Sequence, residues 1–282
     1  MNCCSSDDPS KGLGRFRTEL NKHPWFLVRE VDGRVINIPR SFAPQPTWAV
    51  TMLKTGFTGV VYHVLLLDMI EYWDDIEYYL IFLTHWAFLM SLMYFPLSLF
   101  MSLTGGARQP NSDTQPSFGV RFMWGLYSST LVIQVAVMSL FWTVEYNFDV
   151  VGRPLYPSIM KHGGIMVLLF LEGMVLNKIP IRAKHLWFVE GVSMLYLIWT
   201  IIHWFLDIGN PFIDDDGIYG VMNWRQTPEL AAVVVVGVVF IVVPLVFYLV
   251  WWMSTFGRRY RREGKRDIEI GKSGSRYYRM KR

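Results

Sequence analysis

The sequence predicts an all-α membrane protein, a bundle of six membrane-spanning helices with both termini in the cytosol. Six apolar blocks approach or exceed the roughly 20 residues that cross about 30 Å of hydrocarbon. The basic residues are sorted by side, because 24 of the 27 lysines and arginines fall in the segments that share a side with both termini. Cytosolic segments carry this excess in membrane proteins, so the sorting predicts the orientation.

The elements follow in order along the chain. Residues 1–46 are predicted to form a soluble cytosolic arm, with a small hairpin around Asp32 and Gly33. The membrane domain, 47–255, has predicted spans at 48–70, 77–103, 119–144, 157–176, 185–207 and 229–253; the last carries no charge from Leu230 to Thr255. The basic cytosolic tail, 256–282, is expected to lie on anionic lipids of the inner leaflet, and nucleic-acid binding is not expected.

A few polar side chains interrupt the apolar blocks at similar depth. At about 1.5 Å rise per residue, Thr84, His162, His63 and His203 lie roughly 6–10 Å from the outer ends of four different spans. Polar residues in lipid are costly and usually face a bundle interior or a wet cavity. The pattern therefore predicts a polar layer in the outer half of the membrane.

Three interpretations fit this layer, and the residues alone leave all three open. In the first, Thr84 attacks an ester carbonyl while His162 takes its proton, since a hydroxyl needs a base at neutral pH. The neighbouring His85 points about 100° away on a helix and fits that role poorly. In the second, His63, His85, His162 and His203 hold a metal or haem, although no acidic ligand accompanies them. In the third, these polar groups only join helices.

Other residues are candidates for supporting roles. Trp86, His85 and His203 are candidate substrate-binding donors, and Gly163 would let a ligand approach His162. Asp68 is predicted to pair with His63 or Lys161. Glu172 is expected to face a partner helix or the inner interface. No cofactor is expected for the nucleophile interpretation.

Three segments resemble a known family. They are 79–86 (YLIFLTHW), 155–163 (LYPSIMKHG) continuing to Leu171 and Glu172, and 178–185 (KIPIRAKH) together with 219–224 (YGVMNW). The membrane domain resembles the rolling stone-like family, which is related to the androgen-induced transmembrane hydrolases. Two positions depart from the motifs, because His85 replaces an asparagine and Gly220 replaces a proline.

The resemblance implies a function and two site residues. In the hydrolase relatives a threonine nucleophile and a histidine cleave esters of hydroxy fatty acids in the membrane, and the matching positions are Thr84 and His162. Rolling stone-like proteins are associated with roles such as cell fusion. The leading expectation is a threonine hydrolase of lipid esters in the endoplasmic reticulum or plasma membrane, with membrane lipids and a lipid ester as its partners. The alternatives are a non-enzymatic fusion, adhesion or scaffold protein and a His-ligated metal or haem protein.

Overall fold

The structure, a computed structural model, describes residues 10–22, 25–26, 48–104, 116–146, 155–212 and 217–255. These residues form helices and turns, and none of them lies in a β-strand. A short helix α1, Ser10–Lys22, precedes six long ones: α2 Trp48–Glu71, α3 Leu83–Leu103, α4 Phe118–Glu145, α5 Tyr156–Leu176, α6 Ala183–Phe205 and α7 Pro228–Thr255. All six are long and apolar enough to cross a membrane, which confirms the helical, multi-pass part of the prediction.

Two of the predicted segments cannot be compared with the structure. The hairpin around Asp32 and Gly33 and the basic tail 256–282 lie outside the described residues. For five of the six spans the helix ends fall within about two residues of the predicted ends, a normal uncertainty for helix boundaries. The second span is the exception.

Side-chain contacts between helices show that α3 and α5 both run antiparallel to α2. Lys54 near the start of α2 reaches Ser98 and Ser102 near the end of α3, whereas Asp68 near the end of α2 reaches Lys161 near the start of α5. We call the end with the starts of α2, α4 and α6 the Lys54 end. The end with the starts of α3, α5 and α7 is the Thr84 end.

The outer surface of the bundle is apolar along its length. Val233, Ile241 and Leu66 have exposed fractions of 71%, 67% and 64%, while the interior is filled by side chains such as Trp124 and Phe88 at 0%. In water such a surface would be costly, but against hydrocarbon it is the expected exterior of a helical bundle. The structure therefore supports an integral, multi-pass membrane protein.

The second span begins six residues later than predicted. A 3₁₀ segment, Trp73–Ile81, covers the region where the sequence predicts the first helical turns, and Phe82 is extended with φ −93° and ψ 134°. The α-helix itself starts at Leu83. Thr84 therefore lies in the first turn of α3 rather than about two turns inside a longer helix.

Side chains hold this interruption in place. Three successive carbonyl groups of the 3₁₀ segment accept hydrogen bonds from side chains on α3 and α6. The pairs are Tyr79 O with His85 Nδ1 at 2.5 Å, Leu80 O with Trp86 Nε1 at 2.9 Å and Ile81 O with Tyr196 Oη at 2.9 Å. Because these bonds take up carbonyls that a continuous helix would use, the chain can turn here without leaving buried polar groups unpaired.

A buried polar network joins α2, α3 and α5 at the Lys54 end. Lys54, near the start of the first span, is 1% exposed inside the bundle and lies 3.1 Å from Glu172 Oε1. Glu172 also accepts hydrogen bonds from Ser98 at 2.5 Å, from Asn177 at 2.5 Å and from Tyr94. Glu172 thus faces partner helices, as expected, with a counter-ion that the sequence did not indicate.

The first helix docks on the same end of the bundle. The Phe16 ring packs edge-on against Trp251 and Tyr248 with centroids 5.0 and 5.5 Å apart. Glu19 accepts a hydrogen bond from Trp251 Nε1 at 3.2 Å and lies 3.6 Å from the Arg182 guanidinium. Part of the predicted arm is therefore a helix packed on the membrane domain.

Candidate functional site

The structure brings Thr84 and His162 into direct contact at the Thr84 end. Thr84 Oγ1 lies 3.2 Å from His162 Nε2, although the two residues are 78 positions apart in the sequence. The first turn of α3 supplies the threonine and the first turns of α5 supply the histidine. A hydroxyl and an imidazole at this distance have the separation that a nucleophile and its base require.

The other ring nitrogen fixes the direction of this hydrogen bond. His162 Nδ1 lies 2.8 Å from the Ser158 carbonyl oxygen, which can only accept. Nδ1 therefore carries the proton, and Nε2 of the neutral ring has a free lone pair. It follows that the Thr84 hydroxyl donates to Nε2, which is the arrangement in which the histidine can remove the hydroxyl proton.

The histidine ring is held on its face as well as on its edge. Phe141, near the end of α4, stacks on the His162 ring with centroids 3.4 Å apart and an interplanar angle of 8°. Trp142 Nε1 donates to the His162 carbonyl at 2.9 Å. The α5 turn Met160–Gly164 is π-helical, a local widening that is frequent at functional sites. These contacts limit the ring to one orientation toward Thr84.

Gly163 is half-buried beside the pair of Thr84 and His162, which we call the dyad. A Cβ added there would meet Trp142 Nε1 at 3.8 Å, an ordinary van der Waals distance. Packing within the protein therefore does not demand glycine at this position, which leaves its predicted substrate role as an expectation.

An ion pair lies next to the dyad in the bundle interior. Lys161, the residue before His162, pairs with Asp68 Oδ1, one of the two pairings that the sequence predicts for Asp68. Tyr79 donates to Asp68 Oδ2 at 2.5 Å, and Lys161 Nζ lies 3.2 Å from His85 Nε2. Burial, followed by the hydrogen bond to Asp68, raises the pKa of Tyr79 well above its ordinary value. The phenol thus stays a donor, and the cluster joins α2, the 3₁₀ segment and α5.

His85 and Trp86 form their hydrogen bonds with the 3₁₀ segment and with Lys161. Both His85 nitrogens have partners, the Tyr79 carbonyl and the Lys161 ammonium, and the ring stacks on Tyr79 at 3.9 Å. Trp86 Nε1 donates to the Leu80 carbonyl. The structure gives these predicted substrate-binding residues contacts that position the start of α3.

His203 supports a loop that reaches the start of α3. Its Nε2 lies 2.8 Å from the Gly209 carbonyl, and Asn210 Nδ2 donates to the carbonyls of Gly217 and Ile218 at 3.0 and 3.2 Å. The next residue, Tyr219, accepts a hydrogen bond from the Leu83 N–H at 3.0 Å. Tyr219 is thus a neighbour of the dyad that no local pattern in the sequence marks as a site residue, although its segment 219–224 is one of those that carry the family resemblance.

The histidines proposed as metal ligands do not form one group. His63 is exposed on α2, where its ring faces Tyr156 with centroids 6.2 Å apart. His85, His162 and His203 each have the separate partners given above. Over the described residues, no three side chains among histidine, cysteine, aspartate and glutamate are grouped so that they could hold a metal ion.

A second hydroxyl–imidazole pair shows what distinguishes the Thr84 site. At the Lys54 end, Ser128 Oγ lies 2.7 Å from His185 Nδ1, closer than Thr84 lies to His162. Both residues are 0% exposed, and Ser128 also bonds the Trp124 carbonyl. The Thr84 pair is less enclosed, because Thr84 is 7% exposed and His162 is half-buried. The two pairs therefore differ in how completely they are enclosed and not in the distance between hydroxyl and imidazole alone.

Comparison of the chain with protein-family models, with curated proteins and with solved structures finds no match.

Proposed function

We propose that the protein is a membrane-embedded threonine hydrolase that cleaves fatty acyl esters, with Thr84 as nucleophile and His162 as base. The observation that carries the proposal is the 3.2 Å contact of Thr84 Oγ1 with a histidine nitrogen whose lone pair is free. A purely structural threonine in a membrane helix commonly bonds the carbonyl four residues back. Thr55, Thr58 and Thr130 do so here, whereas Thr84 follows the extended residue Phe82 and contacts His162.

The reaction follows from the proton positions. Thr84 Oγ attacks the acyl carbon, the carbonyl electron pair moves to its oxygen, and the hydroxyl proton passes to His162 Nε2. When the tetrahedral species collapses, the bond to the leaving alcohol breaks and His162 returns the proton to that oxygen. Water then attacks the acyl-threonine, gives a proton to His162, and releases the fatty acid with a restored Thr84 hydroxyl.

The surroundings of the dyad favour a substrate that resides in lipid. Large apolar side chains face outward near this end, including Leu80, Val144 and Ile159 with exposed fractions of 45%, 55% and 43%. An acyl chain approaching from the bilayer would replace lipid contacts with similar ones. In the proposed orientation the Lys54 end is cytosolic and the dyad opens to the outer or lumenal half of the endoplasmic reticulum or plasma membrane.

The test is active-site labelling combined with ester turnover. Purified wild-type protein in detergent is expected to react with a fluorophosphonate probe and to hydrolyse a long-chain fluorogenic ester. Thr84→Ala and His162→Ala are expected to abolish both signals, because the first removes the nucleophile and the second its activation. In a comparable triad, loss of a single member costs about 10⁴–10⁶-fold in kcat.

Two matched variants control for damage to the fold. Thr130→Ala removes a buried threonine that bonds only within α4, and His63→Ala removes an exposed histidine at the same end. Both are expected to keep wild-type labelling and turnover. Equal labelling of wild type and Thr84→Ala, or no turnover by the wild type across acyl chain lengths, would show that the protein is not this hydrolase.

A further inference from the structure

We infer that Tyr219 is a third catalytic residue, whose phenol donates a hydrogen bond to the oxyanion that forms when Thr84 attacks the ester. The inference rests on the proposed hydrolase function and supplies its missing component. Acyl transfer passes through a species with negative charge on the former carbonyl oxygen, and donors aimed at that oxygen give a large part of the rate enhancement.

The position of Tyr219 comes from its contact with the nucleophile's own helix turn. The phenol oxygen accepts the Leu83 N–H at 3.0 Å, and the phenol also interacts with the hydroxyl groups of Tyr196 and Thr84. Thr84 gives its single proton to His162 Nε2 and Tyr196 gives its proton to the Ile81 carbonyl, so the phenol can only donate to either hydroxyl oxygen. Its proton can therefore turn to an oxyanion that forms beside Thr84 Oγ1.

The helix start adds to the same electrostatic effect. The first N–H groups of an α-helix have no partner within the helix and carry a partial positive charge. Since α3 begins at Leu83, this charge lies at Thr84. The Leu83 N–H also polarises the phenol to which it donates, and hydrogen bonds in series strengthen one another.

The other donors near the dyad are already engaged. His85 Nδ1 and Trp86 Nε1 are directed to backbone carbonyls, and Tyr196 donates to the Ile81 carbonyl. Trp142 Nε1 donates to the His162 carbonyl. Among these side chains, Tyr219 is the one whose donor is not directed to a backbone carbonyl of the described residues.

The loop that carries Tyr219 is fixed well enough for this role. His203 and Asn210 bind the carbonyls on both sides of the loop, and the Tyr219 carbonyl accepts the Met222 N–H at 2.8 Å. The Tyr219 ring packs against Phe82 with centroids 5.7 Å apart. Donors that are held in place before the reaction need no reorganisation as charge develops.

The phenol is also in the required protonation state. Burial, partly offset by hydrogen bonds that include the one from the Leu83 N–H, raises the pKa of Tyr219 to about 12. The group is therefore a neutral donor at neutral and mildly alkaline pH. In the proposed step it gives a hydrogen bond without losing its proton, so the proton and electron balance of the reaction is unchanged.

The experiment compares transition-state with ground-state binding in Tyr219→Phe. Loss of one oxyanion donor is expected to lower kcat by about 10²–10³-fold while KM changes little. Affinity for a long-chain trifluoromethyl ketone, which forms a tetrahedral adduct with the nucleophile, is expected to fall in parallel with kcat. Affinity for the matching long-chain ether, which forms no oxyanion, is expected to stay at the wild-type value.

Tyr94→Phe is the matched control, because it also removes a buried tyrosine hydroxyl with a hydrogen bond but lies near the Lys54 end. It is expected to keep wild-type kcat. If Tyr219→Phe does not fold, replacement of Tyr219 by 3-fluorotyrosine keeps a more acidic donor, and the alkaline loss of kcat is then expected at lower pH than in wild type.

The outcomes separate the two proposals. If the wild type turns over ester and Thr84→Ala does not, but Tyr219→Phe keeps wild-type kcat and ketone affinity, the oxyanion role is wrong and the hydrolase proposal stands. An unshifted alkaline limb in the fluorotyrosine variant also overturns the oxyanion role. If the wild type has no turnover and no labelling, both proposals fall.

Discussion

Lys161 and His162 are adjacent in the sequence, but Lys161 forms a buried ion pair whereas His162 acts as an uncharged acceptor. Lys161 is 4% exposed and pairs with Asp68, which is 0% exposed, so both ions are removed from solvent and lipid. Breaking a buried ion pair leaves one uncompensated charge, which costs far more than the pair contributes. His162, by contrast, keeps one nitrogen as an uncharged acceptor for Thr84. The charges therefore lie on Asp68 and Lys161, and the neighbouring pair of Thr84 and His162 is neutral.

This difference predicts the result of a double-mutant cycle on the buried pair. Asp68→Asn and Lys161→Met are each expected to lower the free energy of unfolding by about 3–5 kcal/mol, because each leaves a lone buried charge. The double variant is expected to lose clearly less than the sum of the two. The free energy of unfolding of all four proteins can be measured in detergent, with tryptophan fluorescence as the signal.

The exposed pair of Arg225 and Asp207 is the control for that cycle. Its side chains are 41% and 66% exposed, so Arg225→Gln is expected to cost less than about 1 kcal/mol. If the two buried single variants cost no more than this exposed one, the Asp68–Lys161 pair does not hold the helices as described.

Among the helices, α4 and α5 pack closely against each other at a glycine. A Cβ added to Gly173 would overlap the Tyr127 ring and hydroxyl, and both sites are buried. The same two helices supply Phe141 and His162 at the other end of their contact. The contact at Gly173 therefore belongs to the same pair of helices that positions the histidine ring.

Gly173→Ala is expected to destabilise the bundle by about 1–3 kcal/mol, the usual cost of overpacking a filled interior. Gly191→Ala on α6 is the control, since its added Cβ meets no atom within 4 Å. That substitution is expected to be neutral or stabilising by up to about 1 kcal/mol, because alanine favours helix over glycine. Melting temperatures in the same detergent compare the two. Equal shifts would contradict close packing at Gly173.

At the scale of the whole molecule, the two ends of the bundle carry different polar groups. The Thr84 end has the dyad with the Asp68 cluster, and the Lys54 end has the Glu172 network with the docked helix α1. Most of the basic residues in the sequence fall in segments joined to the Lys54 end, although Lys54 and Lys161 prove to be buried partners of acids. The remaining asymmetry still predicts that the Lys54 end is cytosolic.

Cysteine labelling tests this orientation. Trp73 and Phe118 are 76% and 75% exposed at the Thr84 and Lys54 ends respectively. In a Cys3→Ser, Cys4→Ser background, a membrane-impermeant maleimide is expected to label Trp73→Cys from the outer or lumenal side, and Phe118→Cys only after the membrane is permeabilised. The reverse pattern would invert the proposed orientation and place the dyad in the cytosolic half.

Some features of the site could be predicted from the sequence and others could not. Thr84 and His162 stand out because a polar group in an apolar block costs free energy and needs a reason. Lys54 lies near the end of a span, where a lysine commonly reaches the interface, and its pairing with Glu172 depends on how α2 packs against α5. Nothing local in the sequence indicates a role for Tyr219, since tyrosines are common in loops.

The sequence by itself determined the six helices, because span length and apolarity are properties of consecutive residues that the bilayer selects directly. It also determined which helices carry the hydroxyl and the imidazole. Only the tertiary structure decided that α3 starts at Leu83, that His162 Nε2 faces Thr84, and that Tyr219 reaches the same turn. Each of these depends on hydrogen bonds between groups far apart in the chain, and no local pattern of residues records such partners.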